Sequence, residues 1–228
     1  MKRLVLRVCE QRIGLFPLFV VMLFILPDTI VSCKKKDNQD QVTFPQTVYA
    51  SDLASRTAIR MFIKGTEITD TAVIHKYIGD AKYFNQNGMD SSYYISFVSS
   101  DSATIAGYTH KFSYTLNGDL FLIYSRDFYE IDPMDHLSVL ADTIQKYKTK
   151  KIPVPHGTNL ATYIRYAIWV AHGTYNNLLL SIIAYKISTW GAYQMGTLPN
   201  EFFEGTLSAL RTGDTVAVQS YSIRMVAR

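Results

Sequence analysis

Apolar and polar residues alternate with a period of two along most of the chain from about Arg56 onward. Successive side chains of a β-strand point to opposite faces, so this alternation is typical of strands that are buried on one side. Residues 58–63 and 110–116 both show it. In residues 215–226 it predicts one buried face with Tyr221, Ile223 and Met225 and one solvent-exposed face with Ser220, Ser222 and Arg224.

The pair Asn117-Gly118 lies between two such segments, residues 110–116 and 119–124. Asn and Gly adopt positive φ angles most readily, and a two-residue type I′ turn needs a positive φ at both central positions. The sequence therefore predicts a β-hairpin with Asn117 and Gly118 in its turn.

Further strands are predicted at residues 93–99, 143–150, 162–171, 178–187 and 215–226. Residues 178–183 are apolar on both faces apart from Ser181. A strand with two apolar faces is expected at a central position that is covered on both sides.

Only two short helices are predicted. Asp70 can cap a helix over residues 71–78, and Gly79 follows as a stop signal. A second helix is predicted over residues 135–141, with Leu137, Leu140 and Ala141 on its buried edge. Helices of two turns are marginal alone, so they must pack against the β core.

The fold class is therefore mostly β. About seven to nine antiparallel strands with short connections suit an up-and-down barrel of lipocalin-like shape, with a two-sheet β-sandwich as the alternative. A closed barrel is favoured because closure removes exposed strand edges. The shape implies no kinship with lipocalins, since the Gly-x-Trp of their first strand is missing and Trp169 and Trp190 both lie late in the chain.

The N-terminal segment has the pattern of a secretory leader. Residues 1–12 carry positive charges, and residues 13–26 form an apolar run interrupted only by Pro17. At the rise of an α-helix this run is roughly 21 Å long, whereas a bilayer core is roughly 30 Å thick. A signal sequence is thus favoured over a membrane-spanning helix.

The leader ends in Ile30-Val31-Ser32-Cys33, which matches the bacterial lipobox. This motif needs a small residue before the cleaved bond and a thiol that accepts the diacylglyceryl group. The sequence predicts cleavage after Ser32 and lipidation of Cys33. The predicted partner is therefore a membrane, which the mature chain binds through the lipid on Cys33. The other cysteine, Cys9, lies in the leader, and no disulfide can form within the mature chain.

Three regions follow from these patterns: a signal peptide over residues 1–32, a lipidated cysteine with a flexible tether over residues 33–50, and a single β domain over residues 51–228. Residues 34–41 are charged or amide-bearing and bury no apolar surface, which is why a tether is expected.

The start Ser-Cys-Lys-Lys-Lys-Asp at residues 32–37 resembles that of uncharacterised lipoproteins of the Bacteroidota. Residues 61–70, 200–202 and 213–219 also resemble segments of that family. The resemblance implies an outer-membrane location, on either the periplasmic or the surface side, and brings no known activity.

Charge gives no reason to expect a nucleic-acid partner. The whole chain has 23 basic and 19 acidic residues. Beyond residue 32 the numbers are 19 and 17, an excess too small for the basic surface that nucleic acid requires.

Candidate chemistry is sparse. His75, His110, His136, His156 and His172 show no metal-ligand spacing, and no nucleophile or phosphate-binding motif occurs, so no metal and no cofactor is predicted. Glu201 and Glu204 could act as the paired carboxylates of a glycan hydrolase, although solvated surface carboxylates are the commoner case. Asp214 after Gly213 is expected to mark the turn into the last strand.

Tyrosines are abundant and suggest a pocket or a sugar-stacking surface, although Tyr is also a common half-buried strand residue. The candidates are Tyr93, Tyr94, Tyr108, Tyr114, Tyr124, Tyr129, Tyr163, Tyr166, Tyr185 and Tyr193. The favoured function is a non-enzymatic, membrane-tethered binding or accessory module for a small molecule or glycan. The alternatives are a glycan hydrolase and a purely structural envelope component, and the sequence leaves the oligomeric state open.

Overall fold

Two long strands, Asn177–Thr189 and Thr215–Ala227, pair with each other and organise the fold. The computed structural model describes residues 42–80, 82–125, 129–131, 136–148, 151–154, 162–165 and 167–228. The signal peptide, Ser32, Cys33 and residues 34–41 of the predicted tether therefore lie outside the described residues.

The described chain contains strands and three short helical segments. The strands are β1 (Gln46–Arg56), β2 (Arg60–Ile63), β3 (Thr66–Ile68), β4 (Tyr94–Phe97), β5 (Ser102–Ile105), β6 (Phe112–Asn117), β7 (Leu120–Tyr124), β8 (Tyr129–Ile131), β9 (Lys151–Val154), β10 (Thr162–Arg165), β11 (Ile168–Thr174), β12 (Asn177–Thr189), β13 (Ala192–Leu198) and β14 (Thr215–Ala227). The helices are α1 (Thr71–Ile78), α2 (His136–Thr143) and a 3₁₀ helix (Glu204–Ala209). None of the helices among these residues has the length and apolar character needed to cross a bilayer.

Eight antiparallel strands close into an up-and-down barrel in the order β1-β4-β5-β6-β7-β11-β12-β14, and β14 returns to β1. Each strand pairs with the next barrel strand along the chain, and the remaining strands lie in the connections between them. The prediction of a mostly β protein with a lipocalin-like barrel is confirmed, and the sandwich alternative is wrong.

Inward side chains fill the barrel. Phe97, Phe112, Phe121, Ile95 and Ile123 have no exposed surface. An eight-stranded barrel is just wide enough for its interior to be packed with side chains, and large aromatic residues supply the volume here.

The barrel sheet continues beyond the barrel because β12 and β14 are longer than their barrel partners; a separate three-stranded sheet has the order β8-β10-β9. Beyond the barrel, β13 pairs with residues 183–189 of β12, while β2 and β3 continue from residues 215–218 of β14. Ile74 and Ile78 of α1 join the cluster of the barrel interior. On the opposite face, α2 and the 3₁₀ helix cover a second apolar cluster that includes Phe62, Ile144, Ile183, Ile187 and Val216.

The two predicted helices are confirmed. The Asp70 carboxylate accepts hydrogen bonds from the backbone N–H groups of Ala72 and Val73, at 2.9 and 3.3 Å, and the N–H of Gly79 closes the helix on the carbonyl of His75. The second helix spans His136–Thr143, and Leu140 and Ala141 are buried as expected.

The Asn117-Gly118 hairpin is present, but its turn is displaced by one residue. Asn117 pairs with Leu120, so Gly118 and Asp119 are the central residues. Gly118 has a φ of 65°, and Asp119 is not among the residues with positive φ. A positive φ at the first central position alone is the pattern of a type II′ turn, so the predicted type I′ turn is wrong.

Several strand boundaries also differ from prediction. Gln46 to Ala50 belong to β1 and not to the tether. Thr143 ends α2, and the residues after it form turns and a single bridge from Gln145 to Phe202, so the strand predicted at 143–150 is wrong there. The predicted strand 162–171 is split into β10 and β11, which belong to different sheets.

The prediction that residues 178–183 are covered on both faces is only half correct. Leu179 is 39% exposed on the outer barrel wall, whereas Ile182 and Ile183 are buried on opposite faces. The cover formed by α2 and the 3₁₀ helix begins only beyond the barrel, so β12 is central in its second half alone.

We predict that Phe97→Ala lowers the free energy of unfolding by about 3–5 kcal/mol, because the ring contacts Tyr114, Phe121 and Tyr175 with centroid distances of 5.0, 5.2 and 5.0 Å. The neighbouring Val98→Ala is the control, and it should cost no more than about 0.5 kcal/mol because Val98 points outward. Chemical denaturation measures both. Equal losses would contradict a barrel packed through its interior.

Candidate functional site

A groove runs across the outer barrel wall where β12, β14 and β1 lie side by side. It has a volume of about 380 Å³ and is bordered by Ser55, Thr57, His172, Leu179, Ser181, Ile182, Asn200, Glu201, Phe202, Ser220, Tyr221 and Ser222. We call this set the wall groove.

Small hydroxyl side chains form the floor of the wall groove. Ser181 pairs with Ser222 across β12 and β14, and Ser222 pairs with Ser55 across β14 and β1. The hydroxyls of Ser55 and Ser222 share a hydrogen bond of 2.7 Å. Because the same outward faces carry Ile183 and Val218 further along, the floor begins where the apolar cover of the second cluster ends.

One side of the groove is the segment after β13, held in place by Asn200. The Asn200 side chain is fully buried. Its oxygen accepts from the N–H groups of Tyr147 and Glu201 at 3.1 and 2.9 Å, and its amide donates to the carbonyl of Tyr147 at 2.9 Å. The N–H of Lys146 also donates to the carbonyl of Glu201 at 2.8 Å. These bonds fix the backbone of Glu201 at the edge of the groove.

Glu201 joins two cationic or potentially cationic groups at the groove. One carboxylate oxygen lies 2.5 Å from Nζ of Lys146 and the other 2.5 Å from Nε2 of His172. Nδ1 of His172 lies 3.8 Å from a carboxylate oxygen of Asp119. Burial raises the pKa of Glu201, but the hydrogen bonds from Lys146 and His172 outweigh it and the net pKa lies below the ordinary value.

A second depression of about 530 Å³ adjoins the groove and shares His172 and Leu179 with it. Arg224 borders this depression, with Nη1 3.7 Å from a carboxylate oxygen of Asp52. The outer wall therefore offers hydroxyl groups, an exposed leucine and charged groups that are already paired.

Glu201 and Glu204 do not form the catalytic pair considered from the sequence. Glu204 binds Arg60 at 2.8 Å, together with Glu67, whereas Glu201 binds Lys146 and His172. Hydrogen bonding to Arg60 lowers the pKa of Glu204. The two carboxylates are neighbours in sequence but each is held by a different cation.

The histidines lie in separate surroundings. His136 contacts the buried carboxylate of Asp214 at 3.0 Å, and His110 packs against Phe112 with a centroid distance of 4.7 Å. His75 lies on α1, and His156 is outside the described residues. Within the described part of the chain, no three His, Cys, Asp or Glu side chains are placed to hold a metal ion. Asp214 does stand at the turn into the last strand, where its carboxylate accepts from the N–H of Arg211 at 2.8 Å.

The candidate tyrosines whose side chains the structure describes do not share one pocket. Tyr114 lies inside the barrel in contact with Phe97, Phe121 and Tyr175, and its hydroxyl donates to the carbonyl of Ser99 at 2.8 Å. Tyr93 stacks on Trp169, whereas Tyr193 is exposed. The side chains of Tyr129, Tyr163 and Tyr166 are outside the described residues.

Comparison with known proteins gives this chain no family. No protein-family model, no curated protein and no solved structure matches it.

Sequence reasoning missed the wall groove as a site. The outward positions of Ser220 and Ser222 were predicted correctly, but the approach of Lys146 and His172 to Glu201 joins residues 29 to 55 positions apart. No local pattern reports such a contact.

We predict that Glu201→Gln flattens the loss of stability in acid. A carboxyl whose folded pKa lies below its unfolded pKa adds stability above the unfolded value, and that stability is lost as the pH falls through the folded value. The ordinary pKa is 4.5, so the difference should appear below it. Unfolding free energies measured from about pH 5 to about pH 3 test this.

The exposed pair of Glu204 with Arg60 provides the control. Because that pair is solvent-screened, Glu204→Gln should change the acid dependence less than Glu201→Gln does. Identical profiles for Glu201→Gln and the unmodified protein would contradict the assigned network.

Proposed function

We propose that this protein is a lipid-anchored component of the bacterial envelope, tethered to the outer membrane through Cys33, that binds a ligand and does not catalyse a reaction. The lipobox at residues 30–33 and the polar segment after it support the anchor. The wall groove supports a binding role, because it is a concave surface that carries both hydroxyl and apolar groups and is fixed by buried hydrogen bonds.

One observation favours binding over glycan hydrolysis. A glycosidase needs a carboxylic acid with a raised pKa that protonates the leaving group. The pKa values of Glu201 and Glu204 are both lowered in the net by hydrogen bonds from neighbouring cations, against the effect of burial. Each is therefore held as a carboxylate, which is the wrong state for a general acid.

The filled barrel also bears on where a ligand binds. Lipocalin-like barrels with an open interior can hold a small ligand inside, but here aromatic side chains occupy the interior. A ligand of this protein is thus expected on the outer surface.

For the anchor, we expect Cys33→Ala to abolish incorporation of labelled palmitate in growing cells. Cys9→Ala is the matched control, since this leader cysteine is removed with the signal peptide and should leave labelling intact. Mass spectrometry of the mature N-terminus checks the cleavage site. Label retained in Cys33→Ala, or a mature chain that starts elsewhere, would refute the anchor.

For the absence of hydrolysis, we expect the envelope-purified protein to release no p-nitrophenol from p-nitrophenyl β-glycosides above the buffer rate. Glu201→Gln and Glu204→Gln should behave as the unmodified protein does. Release that either substitution abolishes would establish a hydrolase and overturn the binding role.

A further inference from the structure

Two exposed aromatic rings lie at the tip of the β12–β13 hairpin. Trp190 is 79% exposed and Tyr193 is 61% exposed, whereas no other large hydrophobic side chain among the described residues exceeds 42%. We call Trp190, Tyr193 and Gly213 the aromatic tip. Exposed indole is costly in water, so its presence needs a reason.

The backbone conformation of Trp190 is also unfavourable for a large side chain. Thr189 pairs with Ala192, so Trp190 and Gly191 are the central residues of the turn, with φ angles of 48° and 88°. Asn, Asp and Gly are the residues that tolerate this left-handed conformation, and a bulky side chain is strained there. Trp190 therefore serves neither the turn nor the core, and residues held in unfavourable conformations concentrate at functional sites.

The indole ring is held in place on one side. A β-carbon added to Gly213 would lie 3.0 Å from Cε2 and 3.2 Å from Cδ2 of Trp190, so the ring rests against the glycine backbone. Gly213 has a φ of 96°, which also excludes most side chains. The rest of the ring faces solvent as a preorganised platform.

Tyr193 is also positioned by its neighbours. Nζ of Lys186 lies 5.4 Å from the Tyr193 ring centroid and 5.2 Å from that of Tyr77. The same ammonium donates to the carbonyl of Tyr77 at 2.7 Å. A cation bound between two rings restricts the motion of the exposed one.

The aromatic tip lies far from the start of β1. Val48 of β1 pairs with Ala227, and Asn177 pairs with the adjacent Val226, so the chain enters beside the start of β12. Trp190 follows the other end of this strand, which has 13 residues and a length of roughly 43 Å. A chain anchored before Gln46 therefore presents the aromatic tip at its opposite end.

The surroundings of the rings favour a carbohydrate over a protein or a bilayer. The exposed neighbours Gly191, Ala192, Arg211 and Thr212 are small or polar. A stable protein interface needs roughly 800 Å² per partner around an apolar centre, and a bilayer needs a broad apolar face. A pyranose ring needs less: an apolar C–H face that stacks on one flat aromatic ring, and polar groups around it for its hydroxyls.

We propose that the aromatic tip is a carbohydrate-binding site in which Trp190 stacks on a sugar ring and Tyr193 flanks it. This deepens the proposed role as an envelope binding module by naming a ligand class, and it places that ligand at a site separate from the wall groove.

The test measures acrylamide quenching of tryptophan fluorescence on the full lipid-anchored protein in phosphatidylethanolamine vesicles. The probes are tetrasaccharides of β-1,4-linked glucose, β-1,4-linked N-acetylglucosamine and α-1,4-linked glucose. Trp169 is buried, so quenching reports Trp190. At least one tetrasaccharide should protect Trp190, and Trp190→Asn should weaken its binding, measured by calorimetry, by roughly tenfold or more.

Trp190→Asn also separates function from folding. Asn suits the left-handed turn better than Trp, so the variant should keep or raise the thermal midpoint while it loses sugar binding. A clearly lower midpoint would assign Trp190 a structural role and overturn the proposal. Tyr193→Ala should weaken binding less than Trp190→Asn does.

Leu116→Ala, at an exposed position outside both candidate sites, is the matched control and should bind sugar normally, whereas Leu179→Ala probes the wall groove. If Leu179→Ala loses binding and Trp190→Asn does not, the sugar site is the groove; the tip proposal then fails while the proposed binding role stands. Trp190 already shielded in vesicles without sugar would indicate a lipid-facing tip. Binding of none of the three tetrasaccharides would likewise overturn the proposal.

Discussion

The pairing of β12 with β14 is the interaction on which the rest of the structure depends. Twelve consecutive residue pairs join these strands, from Asn177 with Val226 to Ser188 with Thr215. The first half of this ladder closes the barrel, and the second half extends beyond it, where β13 pairs with β12 and β2 pairs with β14. Without the ladder, β12 and β14 would be open edges of a curved sheet, and such edges invite aggregation.

Because the two strands continue past the barrel, their faces change role along their length. On β14 the outward side chains pass from Val216 and Val218, covered by α2 and the 3₁₀ helix, to Ser220 and Ser222, which line the wall groove. The inward side chains Ala217, Tyr221 and Ile223 belong to the packed cluster of the barrel interior and α1. Between them lies the buried Gln219, whose amide donates to the carbonyl of Thr57 at 3.0 Å. The groove thus lies where one apolar cover ends, and the aromatic tip lies where the extension itself ends.

Electrostatics in this protein work mainly by pairing. Glu201 is bound by Lys146 and His172, Glu204 and Glu67 by Arg60, and the buried Asp214 by His136 and the N–H of Arg211. Such pairs hold carboxylates in the ionised state and position loops, which suits a rigid recognition surface better than proton transfer. Most large apolar side chains are buried in a similar way, whereas the rings of Trp190 and Tyr193 remain exposed to solvent.

The sequence alone determined the class of fold, because a period of two and a capping Asp70 are local signals that each strand and helix carries within itself. It also determined which side of β14 is polar, as Ser220, Ser222 and Arg224 alternate with Tyr221, Ile223 and Met225. Strands without clean alternation were missed: β1 is interrupted by register shifts around Leu53, and β13 has no buried residue on either face. Only the tertiary structure decided that residues 162–165 and 168–174 join different sheets, that Glu201 meets Lys146 and His172, and that Trp190 rests on Gly213. Periodicity states which face of a strand is buried but not which strand lies beside it, so contacts between distant residues arise only when the barrel closes.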